Sequence, residues 1–139
     1  MRPVCAVLRV EEEGGPRLIN LSIGDETEEL ARALVEKGAE AAATELEEPG
    51  VYRLRIEGKS KKPAIKVTRI ADADETVAVA TVHRDSDESV AIRDLRVSPG
   101  VGVELDEDAV EDALTEGVAS CASEIPIGEE RAIEIVIPE

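Results

Sequence analysis

The sequence predicts an α+β fold made of two pseudo-symmetric ββαβ repeats, which form a mostly antiparallel sheet with two helices on one face. Short apolar, β-branched runs between turn residues indicate strands, and two long amphipathic segments indicate helices. The order of these elements is the same in both halves. We expect a single domain at 1–139, with repeat one at about 1–58, a connecting strand at about 59–71 and repeat two at about 72–139.

The first half reads as two strands, a helix and two further strands. Asp25, followed by Glu28 three residues later, has the pattern of a capping box. It predicts a helix over Glu26–Glu47, which ends before Pro49. The predicted strands are Val4–Val10, Arg17–Ile23, Val51–Ile56 and Pro63–Ile70.

The second half repeats this order. Ser98–Gly102 (SPGVG) breaks the chain before a predicted helix at Asp106–Ile125, whose first turn is acidic, as the helix dipole prefers. Pro126 ends that helix. The predicted strands are Thr76–His83, Val90–Val97 and Arg131–Ile137.

A duplication is indicated by the helices. EKGAEAAATEL at Glu36–Leu46 parallels TEGVASCASEI at Thr115–Ile125, with Gly38 and Gly117 in register. A glycine inside a helix costs about 1 kcal/mol relative to alanine, so two matched glycines suggest close packing. Either the two helices cross at these glycines or each helix packs closely on the sheet.

Composition excludes some classes of function. The chain has 16 basic and 32 acidic residues, a net charge of −16, which repels nucleic acid and anionic membranes. Tyr52 is the only aromatic residue, so there is no stacking platform for bases. We expect a cytoplasmic protein, because the sequence shows neither a signal peptide nor a run of 18 apolar residues.

The composition also predicts an environment. Asn20 is the only Asn, Gln is absent, and charged residues reach 35%. Few thermolabile residues combined with many charges is the hyperthermophile pattern, and the acidic excess resembles adaptation to a salt-rich cytoplasm. The strands are more apolar than a half-exposed sheet needs, which predicts that their second face is buried in a homo-oligomer.

The strongest local anomaly is basic. Residues 53–69 hold seven of the 16 cations and a single acid, Glu57. Such a segment can form an anion site, for a phosphate-bearing small molecule or an acidic protein surface. The alternative is charge compensation with acids of the same chain or of another subunit. The candidate residues are Arg53, Arg55, Lys59, Lys61, Lys62, Lys66 and Arg69.

His83 is the only histidine, and it precedes the acids Asp85, Asp87 and Glu88. A histidine with a carboxylate can act as an acid–base pair, but the interpretation that we favour from the sequence is a strand end or turn exposed to water. Cys5 and Cys121 lie in apolar patterns and are read as small core residues. We expect no metal and no cofactor, because a lone histidine cannot build a multi-histidine site.

These patterns support three hypotheses. The first is a non-catalytic, homo-oligomeric binding or assembly protein whose basic segment meets an anionic ligand or partner. The second is a small enzyme with an active site between subunits that uses His83 and carboxylates. The third is a purely structural subunit.

Overall fold

The computed structural model describes residues 3–57 and 64–137. The described part has an α+β fold, as predicted, and contains no helix long and apolar enough to cross a membrane. The chain divides into two compact units, Met1–Ala73 and Asp74–Glu139. In chain order the elements are β1 (Val4–Val10), β2 (Arg17–Ser22), α1 (Glu28–Ala41), β3 (Gly50–Glu57), β4 (Ala64–Asp72), β5 (Thr76–Arg84), β6 (Val90–Ser98), α2 (Glu107–Ala122) and β7 (Glu130–Ile137).

The strands form two antiparallel sheets instead of the predicted one. The first unit holds a four-stranded sheet of order β2-β1-β3-β4, and the second a three-stranded sheet of order β6-β5-β7. Both edges of β5 are occupied by its own partners β6 and β7, so β5 cannot extend the first sheet. Each helix packs on the sheet of its own unit, α1 on β1, β2 and β3, and α2 on β5 and β7.

Both units have the strand order that a duplication predicts. The first strand of each unit is flanked by the second strand on one side and by the strand after the helix on the other. The first hairpin is irregular between Val7 and Leu8, and the second between Val79 and Thr81. In the second case Asp94 takes a φ of 54°, a left-handed conformation that Asp tolerates. Superposition of the two units residue by residue, and their joining into one domain, stay predictions.

Both helices are shorter than predicted: α2 ends at Ala122, before the predicted Ile125, and α1 differs at both ends. Its N-cap is Thr27, whose hydroxyl accepts from the backbone N–H of Leu30 at 3.3 Å, so the predicted cap at Asp25 is wrong by two residues. The helix ends at Ala41, before the predicted Glu47. No basic residue lies in its last turn, and the acids that follow would face the negative end of the helix dipole.

Close helix-on-sheet packing explains the matched glycines. A Cβ at Gly38 would lie 3.0 Å from Cδ1 of Ile56, and a Cβ at Gly117 would lie 2.5 Å from Cδ1 of Ile135. Both isoleucines belong to the strand that follows the helix of the same unit. The second of the two explanations considered above therefore accounts for both positions.

Several residues on the strand faces opposite the helices are buried. Alternate residues of β1 pack with α1, and Val7, on the other side of that strand, is buried as well. Val51 of β3 and both Val77 and Val79 of β5 are fully buried. The burial of the second face of these strands in a homo-oligomer stays a prediction.

Candidate anion-binding site

Cations of the basic segment meet on β3 and β4. Arg53 and Arg55 are two residues apart on β3 and so lie on the same face of the sheet. Lys66 of β4 is the direct antiparallel partner of Arg55. Lys59, Lys61 and Lys62 lie outside the described residues. The predicted meeting of Lys66 with the β3 arginines is thus present in the fold.

These cations belong to a polar row that crosses the whole sheet. The pairings join Ser22 to Cys5, Cys5 to Arg55, and Arg55 to Lys66. Directly opposite residues have Cβ atoms about 4.5–5.5 Å apart, and like charges in that position repel. The positive charge of this row therefore lies at its β3 and β4 end. An anion bound there would reduce the repulsion between Arg55 and Lys66.

A pocket opens beside this pair of cations. It has a volume of about 310 Å³ and is lined by Arg55, Glu57, Ala64, Ile65 and Lys66. Nε of Arg55 donates to Glu57 at 2.7 Å, and both side chains are about half exposed. An exposed ion pair is worth only about 0–1 kcal/mol, so a stronger anion can compete with Glu57 for the guanidinium. The three charged groups still sum to a positive site.

Arg69 does not join this group. It pairs with Tyr52, and its guanidinium lies 5.9 Å from the centroid of that ring, on the face where Tyr52 packs beneath α1. Arg69 also forms ion pairs with Glu48 at 2.8 Å and Asp72 at 3.0 Å, and donates to the carbonyl of Pro49 at 3.1 Å. These contacts fix the loop that enters β3.

His83 lies between two carboxylates. Its Nε2 is 3.1 Å from Asp85, and its Nδ1 is 3.8 Å from Glu130, the cross-strand partner on β7. The Nδ1 atom is buried and has no hydrogen-bond partner. Asp87, a candidate partner from the sequence, instead pairs with Arg84 at 3.1 Å. Glu130, which is distant in sequence, could be found only through the strand register.

The two cysteines are less buried than predicted. Neither Cys5 nor Cys121 is part of a disulfide bond, and both are only partly buried. Sγ of Cys121 lies 3.6 Å from the carbonyl oxygen of Val118, a contact within its own helix. Within the described residues, no group of three or more His, Cys, Asp or Glu side chains is arranged to hold a metal ion.

A second concavity was not signalled by any sequence motif. This groove has a volume of about 560 Å³ and runs beside α1, with Leu8, Leu18 and Val35 among its apolar lining residues. Its one cation, Arg32, is paired with Glu28 along the helix at 3.1 Å. The groove is larger than the pocket at Arg55, but it has no comparable pair of facing cations.

Comparison with protein-family models, curated proteins and solved structures finds no significant match. The function is therefore argued from geometry and charge.

Proposed function

We propose that this protein is a non-catalytic, homo-oligomeric binding protein that takes an anionic ligand, or an acidic partner surface, at the basic end of β3 and β4. One observation carries the proposal: Arg55 stands directly opposite Lys66 beside a pocket of about 310 Å³. This volume is at the lower end for small-molecule sites, so a phosphate-sized group or a small phosphorylated molecule is the fitting class.

The side chains suit phosphate chemistry. Arginine presents a planar fork of donors that binds two oxygens of one phosphate, and lysine adds a compact point charge. Arg53, the next arginine on this face, supplies a third cation one row away. A chain with 32 acidic residues has no need of clustered cations for solubility, which favours a binding role for them.

Pyrophosphate should stabilise the folded protein through this site. At a hundredfold excess over Kd, mass action adds about 2.7 kcal/mol, which raises Tm by roughly 5–10 °C. The double variant Arg55→Gln/Lys66→Gln should lose this gain. The measurement is a thermal melt with and without pyrophosphate, with ionic strength held constant by potassium chloride.

The matched control is Arg32→Gln/Lys37→Gln, which removes the same charge from the exposed surface of α1. It should keep the full response to pyrophosphate. An equal loss in both double variants would mean that net charge alone governs the effect. A wild-type Tm that is unchanged by phosphate, pyrophosphate and citrate would contradict the proposal. The hypothesis of a purely structural subunit would then remain.

The second candidate is a small enzyme with an active site between subunits. It is favoured by His83, whose Nε2 contacts Asp85 at 3.1 Å while its buried Nδ1 lacks a hydrogen-bond partner. An imidazole held this way can transfer a proton, worth about a hundredfold or more in rate. If pyrophosphate is hydrolysed during the melts, His83→Ala should slow hydrolysis at least that much. Unchanged turnover in that variant would remove His83 from any catalytic role.

The proposed setting is a thermophilic, salt-rich cytoplasm. It is supported by the charged content of 35% together with the near absence of Asn and Gln. High salt would also screen the net charge of −16, both within one chain and between copies.

A further inference from the structure

An exposed apolar row follows β6, an edge strand of the second sheet. Three large hydrophobic side chains of this strand are exposed: Val90 by 36%, Ile92 by 43% and Leu95 by 45%. β6 pairs with β5 on one side, and in the described sheet its other edge has no neighbour. A long edge strand with exposed apolar residues is a ready template for pairing with another chain.

The strand register places this row on the same face as α2. Ile92 pairs with Val82 and Val97 pairs with Ala78, and Ala78 packs with Val110 of the helix. α2 packs mainly on β5 and β7, and Val97 packs against the cluster that includes Val110. The other apolar residues of the row, Val90, Ile92 and Leu95, stay exposed.

The irregularity in β6 extends the row. Arg93 pairs with Thr81, and Arg96 pairs with Val79. Asp94 and Leu95 of β6 therefore lie opposite a single residue of β5, the one between Val79 and Thr81. The extra residue of the bulge shifts the alternation of side chains between the two faces by one position. Leu95 therefore lies on the helix face, as Ile92 does. Without the bulge, Ile92 and Leu95 would lie on opposite faces.

The row is complementary to itself. When two copies of β6 are laid antiparallel about a twofold axis, Val90 faces Val97 and Ile92 faces Leu95, so apolar side chains meet in both directions. A twofold contact requires such self-complementarity. A partner strand with a different sequence would have no reason to match this order.

Charge also favours a second copy at this strand. β6 carries Arg93, Asp94 and Arg96, a slightly positive set in a chain of net charge −16. Most other surface contacts between copies would bring carboxylates against carboxylates. Here the arginines of one copy can approach the aspartate of the other near the twofold axis.

We infer that two copies of the chain pair through the β6 edge, with antiparallel strands, to form a continuous six-stranded sheet whose apolar row is buried between the two α2 helices. This inference rests on the homo-oligomer in the proposed function and is independent of anion binding. It places the contact between copies at an exposed edge strand of the second unit.

Sedimentation velocity of the full chain, in about 0.1 M and about 2 M potassium chloride, tests the inference. The wild-type protein should be a dimer at micromolar concentration, and the dimer should tighten in high salt as the negative charges are screened. Ile92→Lys should raise the dimer Kd at least tenfold, and Leu95→Lys serves the same purpose should Ile92→Lys fail to fold by circular dichroism.

The matched controls are Val101→Lys and Ile127→Lys, which change hydrophobic residues of the second unit that lie outside β6 and are even more exposed than Ile92 and Leu95. Both should dimerise like the wild type. A wild-type monomer in high salt would overturn this inference together with the homo-oligomer. A dimer that Ile92→Lys and Leu95→Lys leave intact would overturn the β6 contact alone. The rise in Tm that pyrophosphate causes should be the same in Ile92→Lys as in the wild type, whether or not the chain dimerises through β6. This measurement tests the anion site separately.

Discussion

Gly100→Ala should be among the most damaging single substitutions in the second unit. A Cβ at this position would lie 2.1 Å from the carbonyl oxygen and 2.3 Å from the carbonyl carbon of Asp74. Both atoms are backbone, so no flexible side chain can move aside. The backbone N–H of Gly100 also donates to the buried hydroxyl of Thr76 at 3.1 Å, which holds the two segments together. We expect a loss of roughly 3 kcal/mol or more in the free energy of unfolding.

Urea denaturation followed by circular dichroism measures this loss. The control is Gly15→Ala, because a Cβ at Gly15 meets nothing within 4 Å and its φ is not left-handed. That variant should match the wild type or gain slightly. Equal stability of Gly100→Ala and Gly15→Ala would contradict the contact with Asp74. The SPGVG turn is thus accounted for by close backbone packing at Gly100 and by a φ of 73° at Gly102.

Arg9→Ala should destabilise the first unit by about 3–5 kcal/mol, because it removes the packing of a large side chain together with its hydrogen bonds. Arg9 is only 1% exposed and is the largest fully buried side chain in the described residues. Its Nη1 donates to the carbonyl oxygen of Ala73 at 3.0 Å. The substitution leaves a cavity and a carbonyl group without this donor.

The charge state of Arg9 should not change this result. Burial lowers the pKa of the Arg9 guanidinium, nearby Arg17 lowers it further, and Glu11 opposes both. A lowered pKa means that folding slightly disfavours the cation, yet arginine stays protonated throughout the accessible pH range. The loss on Arg9→Ala should therefore be the same at pH 6 and at pH 9.

Arg17→Ala is the matched control for Arg9→Ala. Arg17 is the cross-strand partner of Arg9 and is exposed, with a long contact of 3.8 Å to Glu11. Its removal should change the free energy of unfolding by no more than about 0.5 kcal/mol. A loss at Arg9 as small as the loss at Arg17 would show that the buried guanidinium contributes nothing to stability.

Local sequence patterns predicted the elements well because strand and helix periodicities are local properties. The bounds of β1 agree with the prediction, and the other strands differ by one or two residues at one or both ends. The division into two sheets could not be predicted, because alternation does not say which strands pair. β5 is as apolar as the central strand of a large sheet, but it is the central strand of a three-stranded sheet.

The candidate site was predicted in part for the same reason. Alternation correctly put Arg53 and Arg55 on one face, and a hairpin brought Lys66 to them. Arg69 was included by sequence proximity, but the register turns it toward Tyr52 on the other face. The buried Arg9 has a signal in the sequence, because it is a lone cation between Leu8 and Val10 in an otherwise apolar strand.

The most direct test of the anion site is a titration of ¹⁵N-labelled protein with pyrophosphate, followed through the backbone amide resonances at constant ionic strength. The account predicts that the amides of Arg53, Arg55 and Lys66 shift and saturate together, while those of α2 do not move. In Arg55→Gln/Lys66→Gln the saturable shifts should vanish. Amides that do not respond in the wild type, or that drift without saturation over the whole chain, would contradict the proposed function.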